Sequence, residues 1–90
     1  MPKVIIYVSG FCPFCRRAEA LLRQRGISYK EIDLTGDQEA RSQLVATTGM
    51  MTVPQIFVDD VLLGGYQELA AADRSGALEH LRNSDGNEAP

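Results

Sequence analysis

A chain of 90 residues is enough for one small domain, and its 44% hydrophobic and 23% charged residues allow a core to form without staples. A formal net charge of −3 excludes the usual nucleic-acid binder, which needs a basic patch. The apolar run in the N-terminal MPKVIIYVSG is too short for a signal-peptide core or a membrane span, and no small-residue cleavage site follows it, so a cytoplasmic protein is expected.

In chain order, Lys3 to Val8 (KVIIYV) is β-branched and aromatic, as a buried strand would be. Phe14, Ala18, Leu21, Leu22 and Arg25 recur at helical spacing, and Gly26 marks the stop. Ser28 to Leu34 (SYKEIDL) alternates, which predicts a half-buried strand. Asp37 can cap a second helix with the stripe Ala40, Leu44, Val45 and Thr48, ended by Gly49. Gln55 to Val58 and Val61 to Leu63 form a predicted hairpin around the two-residue turn Asp59-Asp60. Gly64-Gly65 opens a third helical stretch with Leu69, Ala72, Leu78 and Leu81 inward, broken at Ser75-Gly76. The order β-α-β-α-β-β-α predicts an α/β fold with a four-stranded mixed sheet and helices on both faces. One domain over residues 1–83 is expected, with a polar, disordered tail over 84–90 (NSDGNEAP contains it).

Both cysteines lie in Cys12-Pro13-Phe14-Cys15, where the first strand hands over to the first helix. Sites in open α/β sheets cluster at such strand ends. Pro13 suits the first helical position, which makes Cys12 the N-cap. There its sulfur can accept hydrogen bonds from the amides of Phe14 and Cys15, next to the positive end of the helix. Both effects favour thiolate, and cysteines in such settings fall from about 8.5 to roughly 3.5–7.5 in pKa. Cys15, one turn on, can resolve a mixed disulfide. Arg16 and Arg17 either reinforce the thiolate or attract an anion, or are merely solvated face residues. A zinc site would want four ligands, and beyond the two cysteines the chain offers only His80, expected on the surface. A bridge over two intervening residues closes almost no loop, so a structural staple is also excluded. The pair reads as a reactive dithiol.

Pro54 stands before the strand Gln55 to Val58 and pushes Val53 to an extended conformation. If the Val53–Pro54 bond is cis, the Val53 backbone stays unpaired and can clamp a peptide-like substrate in strand fashion. An ordinary strand start is the other reading of Thr52-Val53-Pro54. Gly64-Gly65 before a helix offers amides to a carboxylate, or is a plain turn.

Taken together, Cys12-Pro13-Phe14-Cys15, Thr52-Val53-Pro54-Gln55-Ile56-Phe57 and Gly64-Gly65 with Glu68-Leu69 resemble the dithiol class of the glutaredoxin family, over nearly the whole stretch from Lys3 to Leu81. The resemblance implies a thioredoxin-like fold and a glutathione-dependent thiol–disulfide oxidoreductase. Cys12 would be the nucleophile, Cys15 the resolving cysteine and Pro54 a cis-proline. Val53 would pair with the cysteinyl part of glutathione, beside Thr52. Gly65, Tyr66 and Gln67 would hold the γ-glutamyl carboxylate. Arg41 would lie near the glycyl carboxylate, and Phe14 would supply the aromatic wall given elsewhere by tyrosine.

The same resemblance implies glutathione as electron-donating co-substrate with no bound cofactor, and glutathione reductase as an indirect partner. Disulfide-bonded or glutathionylated proteins would be clients of a monomer that binds neither nucleic acid nor membrane. The chain departs from the family pattern in three respects: Ser9 for lysine, Met50-Met51 for a basic residue, and Gln67 for Asp or Ser. The first two remove positive charge near the site, which predicts a less acidic Cys12 than in relatives that keep the lysine. Two other readings share these motifs. One is a thioredoxin-like reductant fed by a flavoprotein reductase, although the chain lacks tryptophan. The other is a dimer that binds an iron–sulfur cluster through one cysteine per subunit and glutathione.

Overall fold

The computed structural model describes residues 2–82, so the tail expected over 84–90 lies outside the described residues, as does residue 83. Four strands and three helices follow one another as β1 (Val4–Val8), α1 (Pro13–Gln24), β2 (Lys30–Asp33), α2 (Gln38–Thr48), β3 (Gln55–Val58), β4 (Val61–Gly64) and α3 (Tyr66–Ser75). A short 3₁₀ turn, Glu79–Leu81, closes the described chain. The sheet order is β2-β1-β3-β4. β1 runs parallel to β2 and antiparallel to β3, and β3 runs antiparallel to β4. This is the mixed four-stranded sheet expected of a thioredoxin-like fold.

The period-two pattern of β1 sends Val4, Ile6 and Val8 to one face, where they are buried. They meet Cys15, Ala18 and Leu22 of α1, Ile56 of β3, and Leu69, Leu78 and Leu81 from the C-terminal third. Ile5, Tyr7 and Phe57 point to the other face, where they line a shallow groove with Ala40 and Leu44 of α2. α2 therefore covers the second face less completely than α1 and α3 cover the first.

Element ends follow the local chemistry. Asp37 caps α2 by accepting the Ala40 amide at 3.1 Å. Gly26, Gly49 and Gly76 take left-handed φ angles just beyond α1, α2 and α3. Asp59 and Asp60 have φ of 51° and 69°, which matches the twist of a two-residue hairpin turn. Lys3 fastens that turn: its amide donates to Asp59 Oδ1 at 2.8 Å and its carbonyl accepts the Asp59 N–H at 2.8 Å.

Three details differ from the sequence expectation. β2 starts at Lys30 rather than Ser28, because it is an edge strand whose one partner among the described residues, β1, pairs with Lys30 to Asp33. Phe14, placed on the apolar stripe of α1 by periodicity, is 52% exposed, because the buried face is Cys15, Ala18, Glu19 and Leu22. Gly64 belongs to β4 rather than to the helix, and Gly65 is the N-cap of α3.

Candidate functional site

The loop after β1 delivers Cys12 to the N-cap of α1 in an extended conformation, φ −150° and ψ 93°, with Pro13 in the first turn. Cys12 and Cys15 are joined as a disulfide, their Cα atoms 5.1 Å apart. The Cys15 amide donates to Cys12 Sγ at 3.1 Å. Of the two amides expected to reach the sulfur, Cys15 does so and Phe14 makes no such bond. Cys15 is wholly buried and Cys12 is half-buried, so solvent and substrate reach the pair through Cys12.

The two arginines after the pair separate. Arg16 donates from Nη1 to Glu19 Oε1 at 2.8 Å and from Nη2 to the Ser9 carbonyl at 3.4 Å, with Glu31 Oε2 3.8 Å away. Its charge is spent on carboxylates behind the helix rather than aimed at Cys12. Arg17 instead lies over the Phe14 ring, 5.4 Å from its centroid, and Phe14 tilts against Tyr66 with centroids 5.8 Å apart.

Glu19 was not legible as part of this region from its residue type. Only 4% of it is exposed, and burial first, then the contact with Glu31, pushes its carboxyl above the ordinary range, against the opposing pull of Arg16 and Arg23. Its place four residues after Cys15, on the buried stripe, was the available signal.

The Val53–Pro54 bond is cis. The Val53 carbonyl oxygen lies 3.5 Å from Cys12 Sγ. The Val53 N–H has no hydrogen-bond partner among the described residues. Phe14, Thr52, Val53, Pro54, Gly65, Tyr66 and Gln67 all line one open groove of about 350 Å³ beside the disulfide. Met50, expected near the site as the replacement for a basic residue, lines it too, and so does Glu68, which had been given no role there.

Glu68 alters the expected anion site. Its Oε1 accepts the Gly65 N–H at 2.8 Å, one half of a capping box, so that amide is taken by the chain itself. Tyr66 and Gln67, the next residues of the helix, keep the N-terminal amides that no earlier turn can satisfy. Arg41 stands apart. It is half-buried on α2 and lines a separate recess with Ser9, Phe11, Leu34, Thr35 and Gln38. His80 is exposed in the final 3₁₀ turn, as expected.

The chain as a whole is similar to known proteins. The family model described as Glutaredoxin matches residues 4–63, a span that contains both cysteines and the cis-proline. A glutaredoxin of Pseudomonas aeruginosa is 41% identical over 81 residues, covering 90% of this chain and 96% of the relative. The solution structure of glutaredoxin from Brucella melitensis is similar at a TM-score of 0.78 and 40% identity, over 88% of this chain and 86% of that one. A buckwheat glutaredoxin–glutathione complex is similar at a TM-score of 0.79 and 28% identity, over 98% of this chain and 83% of that one. Sequence motifs, sheet order, the dithiol at the head of α1 and the whole-length relatives agree, and the chain belongs to the glutaredoxin family.

Proposed function

We propose that the groove beside Cys12 takes the glutathione part of a mixed disulfide and that the Cys12/Cys15 pair reduces it. The family makes the chain a glutathione-dependent dithiol oxidoreductase. The observation that carries the site assignment is the asymmetry of the pair: Cys12 faces the Val53 carbonyl at the groove, and Cys15 is buried behind it.

In the reduced protein the Cys12 thiolate attacks the glutathione sulfur of a glutathionylated client. The client–glutathione bond breaks, the client leaves as a thiolate that takes up a proton, and Cys12 now carries glutathione. The thiolate of a second glutathione attacks that glutathione sulfur, releasing glutathione disulfide and restoring Cys12. The client sulfur thereby gains one electron and the sulfur of the second glutathione loses one, while the first glutathione's sulfur is held in a disulfide before and after. With a protein disulfide, Cys12 forms the mixed disulfide and Cys15 attacks Cys12 Sγ to expel the client. The resulting Cys12–Cys15 bond is then reduced by two glutathiones. Exchange rate follows thiolate fraction, nucleophilicity and access.

Within the groove, Val53 offers one donor and one acceptor to the cysteinyl backbone of glutathione, flanked by Thr52 and Pro54. The amides of Tyr66 and Gln67 face its γ-glutamyl carboxylate, next to Gly65, and Phe14 packs on its apolar edge. Arg41 reaches the glycyl carboxylate only if its side chain swings out of its own recess. Electrons come from glutathione, regenerated by glutathione reductase, and no bound cofactor takes part. We assign the protein disulfide-bonded and glutathionylated protein clients, a monomeric state, a cytoplasmic location and one domain over residues 1–83. No helix among the described residues is long and apolar enough to cross a membrane.

The deciding experiment follows NADPH consumption with a small glutathione mixed disulfide, glutathione and glutathione reductase, beside a run with thioredoxin reductase alone. Turnover in the first system supports the assignment. Turnover only in the second means a thioredoxin-like reductant on the same fold.

A further inference from the structure

Gln55, the first residue of β3, is 1% exposed, a full-length amide buried at the edge of an apolar sheet face. Its backbone pairs with Tyr7, and its neighbour Ile56 turns into the core, so the Gln55 side chain points to the α2 side. Both N–H bonds of its amide are used. Nε2 donates to the Met50 carbonyl and to the Thr52 carbonyl, each at 3.0 Å. Oε1 is buried and has no partner among the described residues. A buried acceptor without a partner is costly, and an apolar side chain would avoid that cost. What the amide gains in exchange is a hold on two carbonyls of one loop.

The other end of that loop is also tied. Thr48 Oγ1, at the end of α2, donates to the Leu44 carbonyl at 3.0 Å and accepts the Met50 N–H at 3.0 Å. The segment from Met50 to Pro54 is therefore strung between a helix end and a strand start. Val53, whose carbonyl meets Cys12 Sγ, lies between these ties and makes no backbone–backbone hydrogen bond among the described residues.

We propose that Gln55 is a positioning residue for the exchange reaction: its amide fixes the loop so that the Val53 N–H and C=O stand ready, opposite Cys12, for the extended backbone of a cysteinyl substrate. It touches neither substrate nor sulfur. The inference rests on the reading that Val53 pairs with substrate backbone. Binding is where the loss of Gln55 shows, because a loosened loop must be ordered again before it can pair. The thiolate, set by the N-cap of α1, is unaffected.

The test uses the full chain in its reduced form and single-turnover kinetics, quenched by alkylation and read by mass spectrometry. Two disulfides are compared: glutathione disulfide, and the disulfide of a short cysteinyl peptide without a γ-glutamyl group. Gln55→Glu, which keeps the size and leaves at most one donor, and Gln55→Leu, which leaves none, raise the half-saturating concentration of both substrates by about fivefold, the effect of one to two lost hydrogen bonds. The limiting rate stays within about twofold of the parent and the pH midpoint of Cys12 alkylation within about 0.3 unit, a split that lowered stability alone does not produce. Thr48→Val, on the other tie, moves half-saturation the same way by about twofold and decides the matter if circular dichroism shows the Gln55 variants unfolded.

Unchanged half-saturation in the folded variants, or a fall confined to the limiting rate, overturns the proposal. If the parent saturates with the peptide but not with glutathione disulfide, the glutathione assignment fails, and Gln55 is then judged on the peptide alone.

Discussion

Glu68 and Gly65 form a closed pair at the head of α3: the carboxylate of one accepts the amide of the other at 2.8 Å. The pair leaves no room upstream, since a Cβ on Gly64 would lie 2.6 Å from Glu68 Cγ. Gly64 also has φ +132°, which side-chain-bearing residues rarely adopt. Gly64→Ala is expected to cost about 2–4 kcal/mol, from backbone strain and overpacking together. Glu68→Ala, which only removes the cap, should cost about 1 kcal/mol. Urea unfolding followed by circular dichroism checks both values and, above all, their order.

The unequal burial of the two sulfurs gives unequal mutants. Cys12→Ser should abolish turnover of every disulfide, because no other nucleophile reaches the groove. Cys15→Ser should keep deglutathionylation and lose reduction of protein disulfides. Coupled NADPH assays with one substrate of each kind measure this, and equal losses in the two variants would contradict the division of labour.

Arg16 is engaged by Glu19, Glu31 and the Ser9 carbonyl, so its charge is already partnered. Ser9→Lys should supply a further cation. The pH midpoint of Cys12 alkylation by iodoacetamide should move down, and the shift should shrink as salt is added, since exposed charges are screened. An unchanged midpoint would show that the helix N-terminus alone sets the thiolate.

Two carboxyl groups give stability opposite pH slopes. Asp73 accepts two bonds from Arg25, at 2.7 and 2.9 Å, which hold its carboxyl below the usual value of 3.8. The unfolded chain then binds more protons below 3.8, so this ion pair stabilises the fold above that value and is lost as pH falls through the lower folded pKa. Asp73→Asn should destabilise at neutral pH and become neutral in strong acid.

Glu19 runs the other way. Burial and Glu31 push its carboxyl above its ordinary 4.5, so the folded chain binds more protons and stability declines as pH rises from 4.5 through the raised folded value. Arg16 and Arg23 offset part of that cost. Glu19→Gln should therefore gain stability over the parent as pH rises above 4.5, with the gap closing in acid. Urea midpoints between pH 4 and 8 would show it, and a constant gap would refute it.

The fold could be read from the chain because its signals are local. VIIYV can only be an inner strand, Pro13 fixes where α1 begins, and Asp59-Asp60 selects a tight hairpin. The dithiol, the Thr-Val-Pro segment and the double glycine could be found for the same reason. What stayed hidden depends on partners distant in space. Nothing in the residue type of Glu19 says that it is buried with Arg16, and nothing in Gln55 says that its amide turns toward Met50 and Thr52. Arg41 was grouped with the groove by the family resemblance, and α2 carries it into a recess of its own. The Gly65 amide looked free until Glu68 was seen to reach back to it.

The position of β1 has a consequence for synthesis on the ribosome. β1 is made before both strands that flank it, β2 and β3, and its pairing with β3 is finished off where Lys3 meets Asp59, 56 residues later. A nascent chain that ends after β2 therefore exposes one open edge of β1, and Leu69, Leu78 and Leu81 are not yet made to cover Ile6. Translation must pass the C-terminal helix before the core can shut, so chains truncated before Leu69 should be open to proteolysis even though they already carry both cysteines.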